Sequence, residues 1–180
     1  YHIEPRSSYL VTELCEGGTL ASYTTTVLDD NTDSSLRYTE SKRIIRQVLN
    51  GLKHCHNMDV CHLDIKLENL MFADTDRTCV KIIDFGTGEM DEDATQCYSI
   101  HNTPLYISPE LVSTPTERGE LVNPYDGFKV DIWCTGTVCY RLLTGVFPFP
   151  SSSGSLRERY ERYKKIIAAD YCDENLESES

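Results

Sequence analysis

Residues 62–69, His-Leu-Asp-Ile-Lys-Leu-Glu-Asn, put five polar side chains into eight positions between two apolar stretches. Such a run is either a polar turn or a loop built around a site. Its flanks narrow what can surround it. Upstream, Ile44, Ile45, Val48, Leu49, Leu52 and Cys55 recur at three- and four-residue steps. That spacing predicts an amphipathic helix over 41–56 with these residues on one face. Downstream, "NLMF" and "CVKII" are short apolar runs separated by "ADTDRT", which predicts a hairpin. Asp84-Phe85-Gly86 follows it at once.

Further elements follow from the same rules. Residues 8–14, "SYLVTEL", have the β-branched and aromatic content of a strand, broken by Gly17 and Gly18. Residues 24–40 are polar and rich in turn formers, so at least part of them is expected to be loop. Residues 86–108 show no sustained period and carry Glu89, Asp91, Glu92 and Asp93, which predicts a long loop. Residues 129–145 are apolar nearly all round, as in a fully buried helix. Residues 155–171 predict a charged helix with Leu156, Tyr160, Tyr163, Ile166 and Ile167 on one side. The last residues form a polar, acidic tail, expected to be disordered.

Bulk properties exclude several classes. The net charge of −12 leaves no basic stripe to neutralise phosphates, which argues against nucleic acid. No apolar run approaches the roughly 18 residues of a membrane span, so no membrane partner is expected. The chain opens on Tyr1, and its 180 residues read as one domain or a piece of a longer polypeptide. Eight cysteines without CxxC spacing point to buried, inert thiols in a reducing, cytoplasmic setting rather than a zinc site.

The polar run matches what phosphoryl transfer needs. A carboxylate must orient the attacking hydroxyl and accept its proton, and a cation must sit near the γ-phosphate. Oxygen ligands must hold Mg²⁺. Asp64 is the candidate base and Lys66 the cation. Asn69, with Asp84 fifteen residues on, supplies the candidate metal ligands.

The motifs together resemble the eukaryotic protein kinase family, whose form is H-R-D-L-x-x-x-N, then D-F-G, then A-P-E. Here they read His62 to Asn69, Asp84-Phe85-Gly86 and Ser108-Pro109-Glu110. Asp131-Ile132-Trp133 with Gly136 resembles the family's D-x-W-x-x-G. The resemblance spans roughly residues 8–170. It implies a mainly α fold with small β-hairpins, the C-terminal lobe of a kinase catalytic domain over residues 1–172. A tail over 173–180 would follow it, and the N-terminal lobe would be a missing partner in cis. It implies a Ser/Thr kinase fragment using ATP and Mg²⁺ on a protein Ser/Thr substrate, with catalytic Asp64, Lys66 and Asn69. Lys66, and Thr103 closing the site beside Asp64 and Lys66, resemble the Ser/Thr class. On the ATP side it implies Glu13, Cys15, Leu70 and Asp84, with Thr12 as gatekeeper. The metal ligands would be Asn69 and Asp84. His62 and Phe85 would be structural, and Asp131 would anchor the catalytic-loop backbone. Gly17 and Gly18, together with "LLTGVFPF", loosely resemble the calcium- and calmodulin-dependent group.

Departures from the pattern matter as much. Leu63 stands where the family places an arginine that pairs with a phosphorylated residue of the activation loop. The loop from Asp84 to Glu110 is therefore not expected to be ordered by phosphate through this position. Leu67 and Ser108 replace the usual proline and alanine. Thr19 and Arg141 fall where basophilic relatives carry acids, and Glu68 keeps one such position. No glycine-rich loop or V-A-I-K lysine occurs in these residues, and no arginine after residue 165 is available to pair with Glu110. Intact Asp64, Lys66, Asn69 and Asp84 disfavour a catalytically dead scaffold. The S-P-E and D-x-W-x-x-G elements disfavour a small-molecule kinase of the same fold.

Overall fold

A computed structural model of the chain describes residues 9–28, 32–90, 97, 103–112, 124–150 and 156–169, with side chains of the last segment from residue 158. Its elements, in chain order, are α1 (Leu20–Thr26), α2 (Ser34–His56), β1 (Val60–Cys61), β2 (Leu70–Phe72), β3 (Val80–Ile82), β4 (Glu89–Met90), α3 (Pro109–Val112), α4 (Gly127–Thr144) and α5 (Leu156–Ala168). Helices dominate. Two antiparallel pairs, β1 with β4 and β2 with β3, are the sheets of the described residues.

The centre is α2 packed against α4. Asp33 caps α2 by accepting the Ser35 and Leu36 amides, and Asp126 caps α4 by accepting those of Phe128 and Lys129. Gly145 closes α4 in the left-handed region at φ 77°, where a side chain would be strained. The inward stripe of α2 is Ser41, Ile44, Val48 and Leu52. Val130, Cys134, Val138 and Leu142 of α4 join the same buried cluster. The β2–β3 hairpin pairs Leu70 with Ile82 and Phe72 with Val80. Its turn is held by Asp74, whose carboxylate accepts the Thr78 and Cys79 amides and the Thr78 hydroxyl. Gln47 of α2 docks the hairpin, accepting the Val80 amide and donating to the Thr78 carbonyl.

The hairpin and the three main helices stand where the sequence predicts them, with shifted limits. α2 begins at Ser34 because Asp33 supplies its cap. Residues 24–40 hold less loop than expected, since α1 runs to Thr26. There the Thr24, Thr25 and Thr26 hydroxyls bond back to carbonyls of the preceding turn, which lets a polar sequence remain helical. The expected strand at 8–14 is not formed by residues 9–14. Tyr9, Leu10, Val11 and Leu14 are 78–94% exposed. A strand needs a neighbouring backbone, and among the described residues none lies beside this one.

Two helix faces also differ. α4 is not buried all round: Ile132 and Gly136 face outward. On α5 the inward stripe is Arg162 and Ile166, while Tyr160 and Ile167 are more than half exposed. Its main neighbour among the described residues is the short α3, which covers only a narrow stripe. Within the predicted 86–108 loop, Glu89–Met90 pairs with Val60–Cys61. Asp91, Glu92, Asp93 and the acidic tail lie outside the described residues.

One buried carboxylate links the core to the polar run. Asp131 of α4 has no exposed surface. Its Oδ2 accepts the His62 amide at 2.9 Å and its Oδ1 the Leu63 amide at 2.8 Å. His56 Nε2, at the end of α2, meets Oδ2 at 2.8 Å. This grip holds Leu63 at φ 63°, a left-handed conformation that costs a leucine about 1 kcal/mol or more. Replacing Asp131 by Ala leaves two buried amides without acceptors. Asp131→Ala is expected to lower unfolding free energy by about 3–5 kcal/mol, read as a lower urea midpoint.

A second polar network sits where α1, α2 and the hairpin meet. Tyr23 donates its hydroxyl to Glu40 at 2.9 Å, and Arg43 pairs with the same carboxylate at 2.7 Å. Hydrogen bonding from Arg43 holds the Glu40 carboxyl below its ordinary 4.5, while burial raises the Tyr23 hydroxyl to about 12. A lowered carboxyl stabilises the fold fully above its unfolded value, and that contribution is lost as pH falls through the folded one. Glu40→Gln should therefore cost about 0.5 kcal/mol at pH 7, the scale of a solvent-screened pair. Thermal melts from pH 7 to pH 3 should converge with wild type at the acid end.

Candidate active site

The path from Asp131 to the polar run is continuous. With its backbone fixed by that carboxylate, His62 places a fully buried ring between the two candidate motifs. Its Nε2 donates to the Ile83 carbonyl at 2.9 Å, and its Nδ1 accepts the Asp64 amide at 3.2 Å. The network thus assigns the proton to Nε2 and leaves the imidazole no nitrogen for proton transfer. Phe85 packs edge-on against the ring at 4.6 Å. The Thr87 hydroxyl donates to the His62 carbonyl at 3.1 Å, and the Ile83 amide to the Asn69 carbonyl at 2.9 Å. Asp84-Phe85-Gly86 is thereby tied to residues 62–69 at several points.

Asp64 is the focus of the run. Lys66 Nζ reaches its Oδ2 at 2.6 Å, and Asn69 Nδ2 reaches the same oxygen at 2.9 Å. The Thr103 hydroxyl donates to Oδ1 at 3.0 Å and receives Lys66 Nζ at 3.3 Å. Asn69 also donates to the Asp64 carbonyl at 2.9 Å. The carboxylate is half-buried and held by a cation, an amide and a hydroxyl, so its orientation is set before any ligand arrives. Both amide hydrogens of Asn69 are committed to Asp64, which leaves Oδ1 as its remaining polar side-chain atom. A 3-10 turn over Leu67–Asn69 ends the run and feeds β2. From the other side the Tyr106 hydroxyl accepts the Leu67 amide at 3.2 Å. Burial raises the Tyr106 hydroxyl well above its usual value, so it stays protonated.

Of the residues singled out in the sequence, Asp64, Lys66, Asn69 and Thr103 form one hydrogen-bonded cluster. Asp84 adjoins it through the Ile83–Asn69 bond. Its side chain is exposed at φ 62° and accepts the Gly86 amide at 3.2 Å. Glu13 and Cys15 lie on the segment that runs onto the hairpin. Glu13 pairs with Lys81 of β3 at 3.2 Å. The Gly17 amide bonds the Phe72 carbonyl at 3.0 Å, and a Cβ on Gly17 would sit 2.1 Å from the Asp74 carbonyl oxygen. Only glycine allows this approach.

Leu70 departs from expectation. It has no exposed surface and belongs to the core, so its side chain points away from the open face. Side chains alternate along a strand, and the next residue of β2, Met71, is the partly exposed one. Thr19 is the cap of α1, Arg141 stacks over Phe147 at 5.4 Å, and Glu68 is exposed. Leu63 is 2% exposed, its side chain in the core rather than turned to the loop after Asp84. His56, Thr87 and Tyr106 are positioning partners that sequence reading did not mark. Their partners lie 25 to 75 residues away, and no local pattern connects them.

Comparison with known proteins identifies the family. The family model described as "Protein kinase domain" matches residues 2–180. The hormonally up-regulated neu tumor-associated kinase of Mus musculus is 37% identical over 165 residues, covering 87% of this chain and 20% of its own length. CBL-interacting serine/threonine-protein kinase 15 of Arabidopsis thaliana is 33% identical over 165 residues, covering 90% of this chain and 34% of its own. Serine/threonine-protein kinase SRK2C of the same plant is 34% identical over 135 residues, covering 74% and 36%. The chain thus spans about a fifth to a third of the length of these curated relatives. With the motifs in order, the Asp64 cluster assembled and the family model matched over nearly every residue, the chain belongs to the protein kinase family.

Proposed function

We propose that this chain is the larger, C-terminal lobe of a Ser/Thr protein kinase catalytic domain. Its parent would transfer the γ-phosphate of ATP to a Ser or Thr hydroxyl of a protein substrate. The observation that carries the reading is the Asp64 carboxylate, oriented by Lys66, Asn69 and Thr103. In this role Asp64 receives the proton of the substrate hydroxyl as it attacks. Lys66 sits beside it to balance charge on the transferring phosphoryl group. Thr103, bonded to both, fits the Ser/Thr class, to which two of the relatives, both serine/threonine-protein kinases, belong.

The oxygen donors present suit a hard cation. Asn69 Oδ1 and the exposed Asp84 carboxylate are two such ligands, and Mg²⁺ is ordinarily held by one or two protein oxygens together with substrate phosphates. When bound, the ion would neutralise phosphate charge. On the nucleotide side we assign the Glu13–Cys15 backbone and Met71, in preference to the core residue Leu70.

The exposed apolar run at Tyr9, Leu10, Val11 and Leu14 supports an N-terminal lobe as the partner in cis, since it offers strand edges and side chains for cover. No helix of the described residues is long and apolar enough to cross a membrane, and cytoplasmic residence is part of the same reading.

Two outcomes test it. In the full-length parent, Asp64→Asn should lower kcat on a Ser/Thr peptide about 10²- to 10⁴-fold with KM little changed, measured by radiolabelled phosphate transfer. An undiminished kcat would sink the assignment. The 180 residues alone should bind ATP with Kd above about 1 mM in calorimetry and turn over little, because the phosphate clamp is incomplete. Micromolar binding would overturn the one-lobe reading.

A further inference from the structure

One buried cluster is unused by this chemistry. It lies where Cys97 meets the start of the polar run at 62–69. Cys61 immediately precedes His62. Cys97 is pinned by Tyr125, with amide–carbonyl bonds of 2.9 and 3.0 Å in both directions. The two side chains are 0% and 1% exposed. They are reduced, and their thiols hydrogen-bond to each other. Gly127, first residue of α4, makes the room. A Cβ there would lie 2.7 Å from the Cys61 sulfur and 2.9 Å from that of Cys97. The Cys97 sulfur also receives the Gly127 amide and bonds the Glu89 carboxylate.

We propose that Cys61 and Cys97 form an oxidation site, which a hydroperoxide converts into a disulfide fastening the Cys97 segment to the catalytic run. The arrangement gives the two sulfurs different parts. Burial and the Glu89 carboxylate raise the Cys97 thiol, the Gly127 amide at the N-terminus of α4 offsets part of that, and Cys61 is raised further, so Cys97 reacts first. Cys97 gives up its proton to solvent, and the thiolate attacks the O–O bond. Sulfenic acid forms on Cys97, and the departing oxygen takes up a proton as water, or as alcohol from an organic hydroperoxide. The Cys61 sulfur then displaces the sulfenic oxygen. An S–S bond forms, the Cys61 proton leaves with that oxygen, and water is released. Two thiols lose two electrons and the peroxide gains them.

Burial raises both thiols, Cys97 to about 12 and Cys61 further, so the thiolate is scarce at pH 7. The reaction is therefore slow there and should quicken about tenfold per pH unit towards pH 10. The consequence for activity rests on the kinase reading, and the cross-link does not. Leu63 cannot grip a phosphate, whereas a bond at Cys61 would hold the same neighbourhood covalently.

The test uses the whole chain exposed to hydrogen peroxide at pH 8.5, then digested without reductant for mass mapping. The expected product joins the Cys61 peptide to the Cys97 peptide and disappears on treatment with dithiothreitol. Its rate should climb through pH 7, 8 and 9. Thermal melting of the oxidised chain should rise by roughly 5–10 °C, the scale of closing a loop of this length. Cys55→Ser, at a half-buried position on α2, should leave the product in place, and Cys97→Ser should remove it. Because the product is read in the wild-type chain, misfolding of a variant does not blunt the test. Cross-linking of Cys61 to Cys55, oxidation confined to other cysteines, or a product that fails to raise melting would each overturn the proposal.

Discussion

Asp131 is a carboxylate with no exposed surface, and burying it costs several kcal/mol unless partners replace its water. The replacement comes from two backbone amides and one imidazole, all within 2.9 Å. Satisfying that one group therefore fixes three things together: the end of α2 through His56, the start of the polar run through residues 62 and 63, and the seat of α4. The grip is on backbone, so it does not read the side chain at 63. That is why leucine is compatible with the loop's path. Its left-handed conformation is held by Asp131, and its side chain takes up core volume.

From there order passes outward by contact. The His62 ring spends one nitrogen on Ile83 and the other on Asp64, so the two motif segments share a buried hinge pin. Asp64 then meets Lys66, Asn69 and Thr103. Thr103 arrives from a distant stretch that is itself held by Tyr106 against Leu67. Electrostatics alone would let Lys66 and Asp64 pair in many ways, since half-exposed pairs are weak constraints. The amide and hydroxyl donors remove that freedom, and such preorganisation is what the chemistry needs.

Much of this was legible in the sequence. The 3.6-residue period of Ile44, Val48 and Leu52 gave the inward face of α2, and "ADTDRT" gave the turn between β2 and β3. The spacing of Asp64, Lys66 and Asn69 marks the cluster within the sequence itself. What escaped had a physical reason each time. Periodicity does not say how wide a face its neighbour covers, so Tyr160 and Ile167 share a side with Ile166 in the pattern yet are more than half exposed where Ile166 is buried. Threonine hydroxyls can satisfy helix carbonyls, so a turn-like composition concealed α1. Strand alternation depends on register, and one residue separates buried Leu70 from partly exposed Met71.

The stretch from Tyr9 to Leu14 carries a different lesson. Its composition favours a strand, yet four large apolar side chains lie 78–94% exposed and no neighbouring strand is present among the described residues. Propensity and structure disagree there because β preference expresses packing on a pleated surface, not a property of an isolated segment. A few residues on, Glu16, Gly17 and Gly18 bond to Ala73 and Phe72, so the backbone is well placed as soon as a partner exists. The contrast locates the disagreement in the lack of a neighbouring strand among the described residues, not in the sequence pattern. It also explains why the Asp64 cluster is assembled while residues 9–14 stay exposed: the cluster takes its hydrogen bonds from residues 62–131, whereas a strand at 9–14 needs a neighbouring backbone that the described residues do not supply.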